Sequence, residues 1–260
     1  MTSKLYSRII LAIFISGSLI ACKGKQKTEE QPATTDTTAT TKTAATPGND
    51  MENMDAVKMA PNLYKVVADT LGIRILDVTY KPGDSSVMHW HPDNAVYFID
   101  GGTSIFYGKD GSKMVMNVKP GMAAVRGAET HSVKNTGKTT VHVLLVEVRR
   151  TGAVTPPDPK TDATIVAKGL YTPLADSLGI RILKINYKPG QQSAMHTHND
   201  AAFYALADAK AEFTGADGKK QIMDIKKGTM MITPAVTHSV KNLGKAPMQG
   251  ILVEVNRAMN

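Results

Sequence analysis

The sequence predicts an all-β protein made of two copies of one antiparallel β-barrel. Short apolar or alternating runs are separated by turn signals such as Lys81-Pro82-Gly83 and Lys188-Pro189-Gly190, a pattern typical of consecutive strands. No window shows a convincing helical period. Residues 69–148 and 176–255 are identical at 39 of 80 positions at a constant offset of 107 residues, without a gap. This self-similarity indicates an internal duplication.

The first 21 residues have the features of a secretory signal. Lys4 and Arg8 precede a short apolar run over 9–15, and small residues follow it. This apolar run is shorter than the roughly 20 residues that a transmembrane helix needs. Residues 19–22 read Leu-Ile-Ala-Cys, which is similar to a bacterial lipobox. We therefore expect an exported lipoprotein, anchored by a lipid on Cys22 in the periplasm or at the cell surface. An ordinary signal peptide with a chance cysteine is the alternative.

Residues 22–57 have the composition of a disordered tether. Thr, Ala, Lys, Gln, Glu and Pro dominate this segment, and large apolar side chains are almost absent. Such a segment buries too little apolar surface to offset the entropy lost on ordering, so we assign it no chemistry. Cys22 is the one cysteine of the sequence, which excludes an intramolecular disulfide.

The repeat predicts a first barrel domain over 58–152, a linker over 153–165 and a second barrel domain over 166–257. The linker contains Pro156-Pro157-Asp158-Pro159, which favours an extended chain. Each copy is only about 90 residues long and would be marginal alone, so we expect the two copies to pack on each other. The strands expected in the first copy lie at 73–80, 95–100, 103–107, 114–118, 122–125 and 141–148.

Six of the seven histidines fall into two equivalent triplets. His89 and His91 point to the same face of a strand because side chains alternate, and His131 follows 40 residues later. The second copy repeats this arrangement with His196, His198 and His238. Paired imidazoles on one strand face make a poor apolar core and good metal ligands. The sequence therefore predicts a metal site in each copy.

These motifs resemble those of cupins, and the chain over 62–256 resembles a bicupin with two tandem barrels. A glycine, five residues and His-x-His form the first motif, at 83–91 and again at 190–198. The second motif joins a glycine to a histidine and, four positions later, an asparagine, at 121–135 and 228–242. The resemblance implies a double-stranded β-helix, or jelly roll, in each copy. It also implies a divalent transition metal, without distinguishing Fe, Mn, Zn, Ni and Cu.

One ligand position departs from the cupin pattern. Where cupins usually supply a glutamate after the second histidine, this chain has Ala95 and Ala202. Three neutral imidazoles leave the charge of an ion unbalanced, which favours anionic ligands. Asp93 and Asp200, each two residues past the second histidine, are candidate substitutes if the strand continues straight. The alternative is that these aspartates cap their own backbone in a turn.

Three further side chains are candidate accessory residues. Tyr97 and Tyr204 occupy equivalent positions from which their hydroxyls could donate hydrogen bonds to the sites, and packed aromatic rings are the alternative. Arg126 lies five residues before His131, where the second copy has Thr233. If Arg126 points inward it could bind an anion, and the two sites would then differ in specificity.

Two pairs of opposite charge recur within apolar strands. They are Arg74 with Glu147 and Arg181 with Glu254. A structural ion pair is one interpretation, and anchoring of a substrate is the other.

The net charge does not indicate a nucleic-acid partner. The formal charge of +8 includes Lys4 and Arg8 of the signal, so the mature chain carries about +6. Its positive residues are scattered rather than clustered, so we expect no binding to nucleic acid.

Two functions from different classes fit these features. The first is a metal-dependent enzyme, most plausibly a dioxygenase-like oxidoreductase acting on a small anionic molecule. The second is a non-catalytic protein that binds a small molecule or a metal. The fold does not choose between them. The scarcity of carboxylates beside the histidines, with Asp93 and Asp200 as the exceptions, disfavours a hydrolase or an epimerase.

Overall fold

The computed structural model describes residues 53–259. The predicted signal, Cys22 and the predicted tether as far as residue 52 lie outside the described residues. Within 53–259 the chain forms eighteen strands and two four-residue helices, which confirms the predicted all-β class. No helix in this part of the chain is long and apolar enough to cross a membrane.

The first half of the described chain contains one short helix and nine strands. Helix α1 spans Ala56–Met59. The strands are β1 (Tyr64–Thr70), β2 (Ile73–Tyr80), β3 (His89–His91), β4 (Asn94–Asp100), β5 (Gly102–Gly108), β6 (Lys113–Val118), β7 (Ala123–Arg126), β8 (Glu129–Asn135) and β9 (Val141–Val148).

The second half repeats this order. Helix α2 spans Ala163–Val166, across the end of the predicted linker. The strands are β10 (Tyr171–Ser177), β11 (Ile180–Tyr187), β12 (His196–His198), β13 (Ala201–Ala205), β14 (Ala209–Gly215), β15 (Lys220–Ile225), β16 (Met230–Thr233), β17 (Val236–Asn242) and β18 (Met248–Val255).

Each half consists of two antiparallel sheets. The five-stranded sheet of the first half has the order β1-β2-β9-β4-β7, and the four-stranded sheet has the order β3-β8-β5-β6. The second half has the corresponding orders β10-β11-β18-β13-β16 and β12-β17-β14-β15. Two sheets whose neighbours are mostly not consecutive in sequence are the arrangement of a jelly roll, as predicted.

Alternation along the long strands divides the core into three clusters. Ile73 and Ile75 of β2 belong to a cluster that also contains Ile180 of the second half. Leu76 and Val78, on the other face of β2, belong to a cluster formed by the first half alone. A third cluster is formed by the second half. One face of each five-stranded sheet thus contributes to a core with residues from both halves.

Reciprocal polar contacts also join residues of the two halves. Arg150 Nη2 lies 2.5 Å from Asp200 Oδ2, and Arg257 Nη2 lies 2.7 Å from Asp93 Oδ2. In addition, Arg150 Nη1 and Arg257 Nη1 each donate to the main-chain oxygen of the other residue at 3.1 Å. The contacts obey the same 107-residue offset as the sequence repeat.

The two helices are fixed by equivalent aspartates. Asp55 Oδ1 accepts from the amide of Val57, and Asp55 Oδ2 lies 2.6 Å from Arg74 Nη2. Asp162 contacts the second helix and Arg181 in the same way. Residues 53–57, which the composition places at the end of the tether, therefore contact the folded part here.

Candidate metal centres

The first histidine cluster lies between β3 and β8. Antiparallel pairing places His89 directly opposite His131, and His91 follows on the same face of β3. The three side chains are buried, with exposed fractions of 0%, 2% and 8% for His89, His91 and His131. One ring nitrogen from each lies within 4.8 Å of the others.

The second cluster has the same construction between β12 and β17. His196 lies opposite His238, and His198 shares the inward face of β12. One ring nitrogen from each again lies within 4.8 Å of the others. His196 and His198 are buried, whereas His238 is half-buried. The sequence thus correctly grouped all six histidines, and the strand register explains why the 40-residue interval recurs.

The first histidine of each cluster is oriented by a main-chain oxygen and a tyrosine. His89 Nδ1 lies 2.8 Å from the carbonyl oxygen of Val87, to which it donates. This tautomer makes Nε2 an acceptor, and the hydroxyl of Tyr64 lies 2.9 Å from it. In the second half His196 has the same contacts with Ala194 and Tyr171.

The second histidine of each cluster is oriented by a buried glutamate. His91 Nδ1 lies 2.6 Å from Glu147 Oε1, and Arg74 Nε donates to the other carboxylate oxygen at 2.6 Å. His198 has the same contact with Glu254 at 2.6 Å, and Glu254 also pairs with Arg181. A carboxylate on Nδ1 leaves Nε2 as the donor atom towards the cluster, the arrangement that fixes metal-ligating histidines.

The third histidine differs between the two clusters. Among the described residues, His131 Nδ1 and His238 Nε2 are buried without a hydrogen-bond partner. A carboxylate oxygen of Glu129 lies 3.4 Å from His131 Nδ1, and the other neighbour of that carboxylate is Arg126, at 2.6 Å. Burial opposes ionisation of Glu129, but His131 and Arg126 lower its pKa.

Burial keeps four of the six histidines neutral. Desolvation is the largest cause that lowers the pKa of His89 and of His91 to about 3, and the neighbouring rings add to it. Desolvation likewise lowers the pKa of His196 to about 4 and that of His238 to about 3. Neutral imidazole is the form that binds a metal, so no proton has to be displaced near pH 7.

The donor set of each cluster fits a divalent transition metal. Bonds of about 2.0–2.1 Å from three nitrogens to one ion require the rings to close slightly from their present spacing. A coordinated ion would also give the unpartnered ring nitrogen of His238 a partner. Imidazole ligands suit several transition metals, so the donors do not select one of them.

The structure places Asp93 and Asp200 away from the histidine nitrogens, so they are not substitute ligands. Each aspartate accepts a main-chain amide with one oxygen, from Ala128 and Ala235, at 2.7 and 2.6 Å. The other oxygen of each pairs with an arginine of the opposite half. The strand ends at the second histidine of the motif, because β3 and β12 are only three residues long. The alternation that would have pointed these aspartates inward therefore stops before it reaches them.

Tyr97 and Tyr204 lie in the cluster shared by the two halves. They contact the core between the five-stranded sheets rather than line a cavity beside the histidines, which corresponds to the packed-aromatic alternative. Arg126 does line the cavity of the first half. Its charge is paired with Glu129, and its guanidinium lies 5.6 Å from the centre of the Phe106 ring.

The cavities beside the two clusters differ greatly in size. The cavity of the first half has a volume of about 60 Å³ and is lined by His91, His131 and Glu129 among others. The cavity of the second half has a volume of about 740 Å³ and extends from His198 and His238 to the β14–β15 hairpin. Volumes of this second size are typical of small-molecule sites.

Sequence reasoning missed the residues that support the histidines. Tyr64 and Tyr171 recur at the 107-residue offset but lie outside the compared segments. The sequence identifies Glu147 and Glu254 as recurring charges but gives no prediction that they contact histidines. Their recurrence in strands that are otherwise apolar was the available signal. Glu129 has no counterpart carboxylate, since Val236 holds its position, so the repeat gave no signal for it.

Comparison with known proteins supports the cupin assignment. Residues 76–147 match the sequence model of the family described as "Cupin domain". No curated protein matches the chain at a significant level. Among solved structures, a Lactobacillus farciminis oxalate decarboxylase–formate complex is similar with a TM-score of 0.51 and 16% identity, over 72% of this chain and 78% of that one. A variant of Bacillus subtilis oxalate decarboxylase has a TM-score of 0.50 and 12% identity, over 79% and 72% of the two chains. At such identities these structures show the fold alone, and the chain has two tandem cupin-type barrels.

Proposed function

We propose that this two-barrel protein is a metal-dependent, dioxygenase-like oxidoreductase acting on a small anionic molecule. In this proposal His89, His91 and His131 hold one divalent transition metal, and a second is held by His196, His198 and His238. The observation that carries the proposal is the repeated orientation of paired histidines. In each half a main-chain oxygen and a carboxylate engage the Nδ1 atoms, so that two Nε2 atoms face one point beside a cavity.

A bound ion would supply a Lewis acid with open positions and, if it is redox-active, one-electron chemistry with dioxygen. The residues of the chain have supporting roles. Glu147 and Glu254 hold their histidines in one tautomer. Burial raises the pKa of Tyr64 and of Tyr171 well above its ordinary value. Both phenols therefore keep their protons. An ion bound to Nε2 of His89 or of His196 would replace the phenol there, and the freed hydroxyl could donate a hydrogen bond to a ligand of that ion.

The distribution of carboxylates favours an oxidoreductase over a hydrolase. A hydrolase needs a general base within reach of the substrate. Glu254 is engaged by His198 and Arg181, and Asp217, which lines the second cavity, pairs with Lys219 at 2.8 Å. In the first half Glu129 is engaged by Arg126. These carboxylates already have partners, which leaves them poorly placed to take a proton from water.

The test combines metal analysis with oxygen consumption. Purified full-length protein should bind two metal equivalents, falling towards one in the variant H89A/H91A and to none when H196A/H198A is added. Protein loaded with Fe²⁺ should consume oxygen with at least one class among thiols, diketones and flavonols. Protein that binds no metal would refute the proposal.

The alternative is a non-catalytic binding protein, and one observation favours it. The walls of the large cavity in the second half are mostly apolar, and the charged side chains that line it, Asp217, Lys219 and Lys220, belong to the β14–β15 hairpin. Two metal equivalents together with no oxygen consumption by any of the three substrate classes would establish this alternative in place of the enzyme.

We also propose that the chain is exported and anchored by a lipid on Cys22. The support is the sequence of the first 22 residues, in which a basic start, a short apolar run and small residues precede the cysteine. Labelling of cells with a radioactive fatty acid should mark the protein, and C22A should abolish both the label and the recovery of the protein with membranes. A labelled C22A variant would contradict the assignment.

We retain the domain limits 58–152 and 166–257 for the two barrels.

A further inference from the structure

We propose that the two barrels admit different ligands. The second barrel binds an apolar, ring-sized molecule beside its histidines, whereas the first admits only water-sized molecules. The inference deepens the proposed function, and rests on it for the metal that would bind the ligand's anionic oxygen or sulfur. Whether the ring of the ligand fits depends on the cavity of the second barrel and not on the metal.

Substitutions at equivalent positions change the side chains that fill the two barrels. Phe98 lines the first cavity, and its equivalent at the 107-residue offset is Ala205. Val143 also lines the first cavity, and its equivalent is Gly250. Two large apolar side chains of the first barrel are thus reduced to a methyl group and to a hydrogen atom.

The space at Gly250 is partly taken by a neighbouring ring. A Cβ atom at Gly250 would lie 2.7 Å from Cε2 of Phe203. Phe203 replaces Val96 of the first barrel and lines the second cavity. The loss of the valine side chain therefore lets an aromatic ring form part of the cavity wall, where it can stack on a ligand ring.

The polar side chains at the cavity also differ. Arg126 and Glu129 form an ion pair that lines the first cavity. Their equivalents, Thr233 and Val236, line the second cavity and carry no charge. The first barrel thus closes its small cavity with two charged groups, and the second presents short, largely apolar side chains at the same place.

The unpartnered polar atoms of the first cavity suit water. Ser104 Oγ and His131 Nδ1 are buried without a hydrogen-bond partner among the described residues, and both side chains line this cavity. A volume of about 60 Å³ holds a few waters at most. The second barrel has Ala211 in place of Ser104, which removes one of these polar atoms.

The lining of the second cavity favours a ligand that is mostly apolar and carries few charges. Its walls include Ile185, Phe203, Phe213, Met231 and Leu252. The cations at its hairpin end are already paired, Lys219 with Asp217 and Lys220 with Glu212. A ligand with a single anionic group would direct that group to the histidines and its ring to these walls.

Binding of naphthalene and 2-naphthoate to full-length protein tests the inference. Naphthalene is uncharged and reports the cavity alone, whereas 2-naphthoate adds one carboxylate for the metal. By titration calorimetry, naphthalene should bind with one equivalent per chain, and Zn²⁺ loading should tighten the binding of 2-naphthoate but not that of naphthalene.

The decisive variant transplants residues of the first barrel into the second. In F203V/A205F/G250V the dissociation constant for naphthalene should rise at least tenfold while two equivalents of Zn²⁺ still bind. The variant T233R/V236E, which introduces the ion pair instead, gives a second measurement if the triple variant does not fold, with the same expected loss. V143A, at the position equivalent to Gly250 in the first barrel, is the matched control and should leave naphthalene binding unchanged.

The two proposals fail in different ways. Absence of naphthalene binding, two equivalents of naphthalene per chain, or unchanged binding in both filled variants would overturn the inference about the barrels. Naphthalene binding with no Zn²⁺ bound would leave the cavity assignment intact and would refute the proposed function.

Discussion

Glu147 and Glu254 each contact and orient a histidine of a candidate metal site, although 56 residues of sequence separate the two side chains. Each carboxylate contacts a histidine Nδ1 at 2.6 Å and an arginine with its other oxygen, in a position where the glutamate is fully or almost fully buried. The arginine offsets the cost of burying the carboxylate. Burial raises the pKa of Glu147 to about 7, and the charge of Arg74 opposes this shift. The pair therefore orients the ligand histidine and also stabilises the strand that carries the glutamate.

Replacing this glutamate should weaken metal binding at one site only. In E147Q the amide holds His91 less firmly, so we expect the metal affinity of the first site to fall about 10- to 100-fold. The second site should keep its affinity, because Glu254 is unchanged. Competition titration with a chromophoric chelator measures both sites.

D93N is the matched control, since Asp93 pairs with Arg257 and does not contact a histidine cluster. Its metal affinities should equal those of the unaltered protein. Equal affinities in E147Q as well would show that the carboxylate does not orient the ligand.

Each short helix is connected to a histidine site through the aspartate that precedes the helix. Asp162 caps α2 by accepting from the amide of Thr164 at 2.7 Å, and it pairs with Arg181 at 2.6 Å. Arg181 in turn contacts Glu254. One side chain thus joins the start of a helix to the arginine behind a candidate metal ligand.

D162N should destabilise the protein more at neutral pH than in acid. Asparagine still caps a helix, but it loses the charge that pairs with Arg181, at a cost of about 1–3 kcal/mol. Burial opposes ionisation of Asp162, but the hydrogen bonds from Arg181 and Thr164 and the charge of Arg181 together outweigh it and lower the pKa below the ordinary value of 3.8. The carboxylate therefore stabilises the fold above pH 3.8, and this stabilisation is lost as the pH falls through the lowered pKa.

Urea denaturation of D162N and of the unaltered protein at pH 7 and at pH 3 measures the difference. The gap in the free energy of unfolding should shrink at the lower pH. D158N is the control and should change stability by less at pH 7, because the side chain of Asp158 accepts from the exposed amide of Lys160 and has no ion-pair partner among the described residues. A gap for D162N that is the same at both pH values would contradict the assigned ion pair.

The whole molecule is organised by its internal repeat, in which each half completes the surroundings of the other. The β1–β2 hairpin turns at Leu71, whose φ of 54° is unusual for a residue with a side chain. Arg150 Nε donates to the carbonyl oxygen of Leu71 at 2.6 Å, while Arg150 Nη2 reaches Asp200 of the other half. Arg257 has the equivalent contacts with Leu178 and Asp93. Two arginines thus hold a strained turn and the opposite barrel together.

Removing either arginine should destabilise both halves. R150A leaves Asp200 without its ion-pair partner and the Leu71 carbonyl without its donor, so we expect a loss of about 2–5 kcal/mol in the free energy of unfolding. R257A should cost a similar amount. Because the two arginines share one set of contacts, the double variant should depart from the sum of the single losses.

Thermal unfolding followed by circular dichroism and denaturant titration provide these values. R149A is the control, because the neighbouring Arg149 is more exposed and pairs with Asp69 at the surface, where such a pair contributes at most about 1 kcal/mol. A loss for R150A no larger than that for R149A would show that the contact between the halves contributes little.

Features that depend on short-range periodicity or on the internal repeat can be predicted from the amino-acid sequence. Strand alternation placed His89 and His91 on one face, and the constant offset assigned a second site with the same three residues. Turn signals marked the ends of most strands, which was enough for the all-β class and the two barrels.

Contacts between side chains that are distant in the sequence depend on how the folded strands pack. Glu147 contacts His91 across 56 residues, and Asp93 contacts Arg257 across 164. By residue type and spacing Asp93 is a candidate metal ligand. The sequence does not show, however, in which direction a side chain points once its strand has ended. The different volumes of the two cavities also depend on tertiary packing. Gly250, at the position equivalent to Val143, lets the ring of Phe203 pack where a valine side chain would lie, and Phe203 lines the second cavity. Such packing is a property of the folded chain.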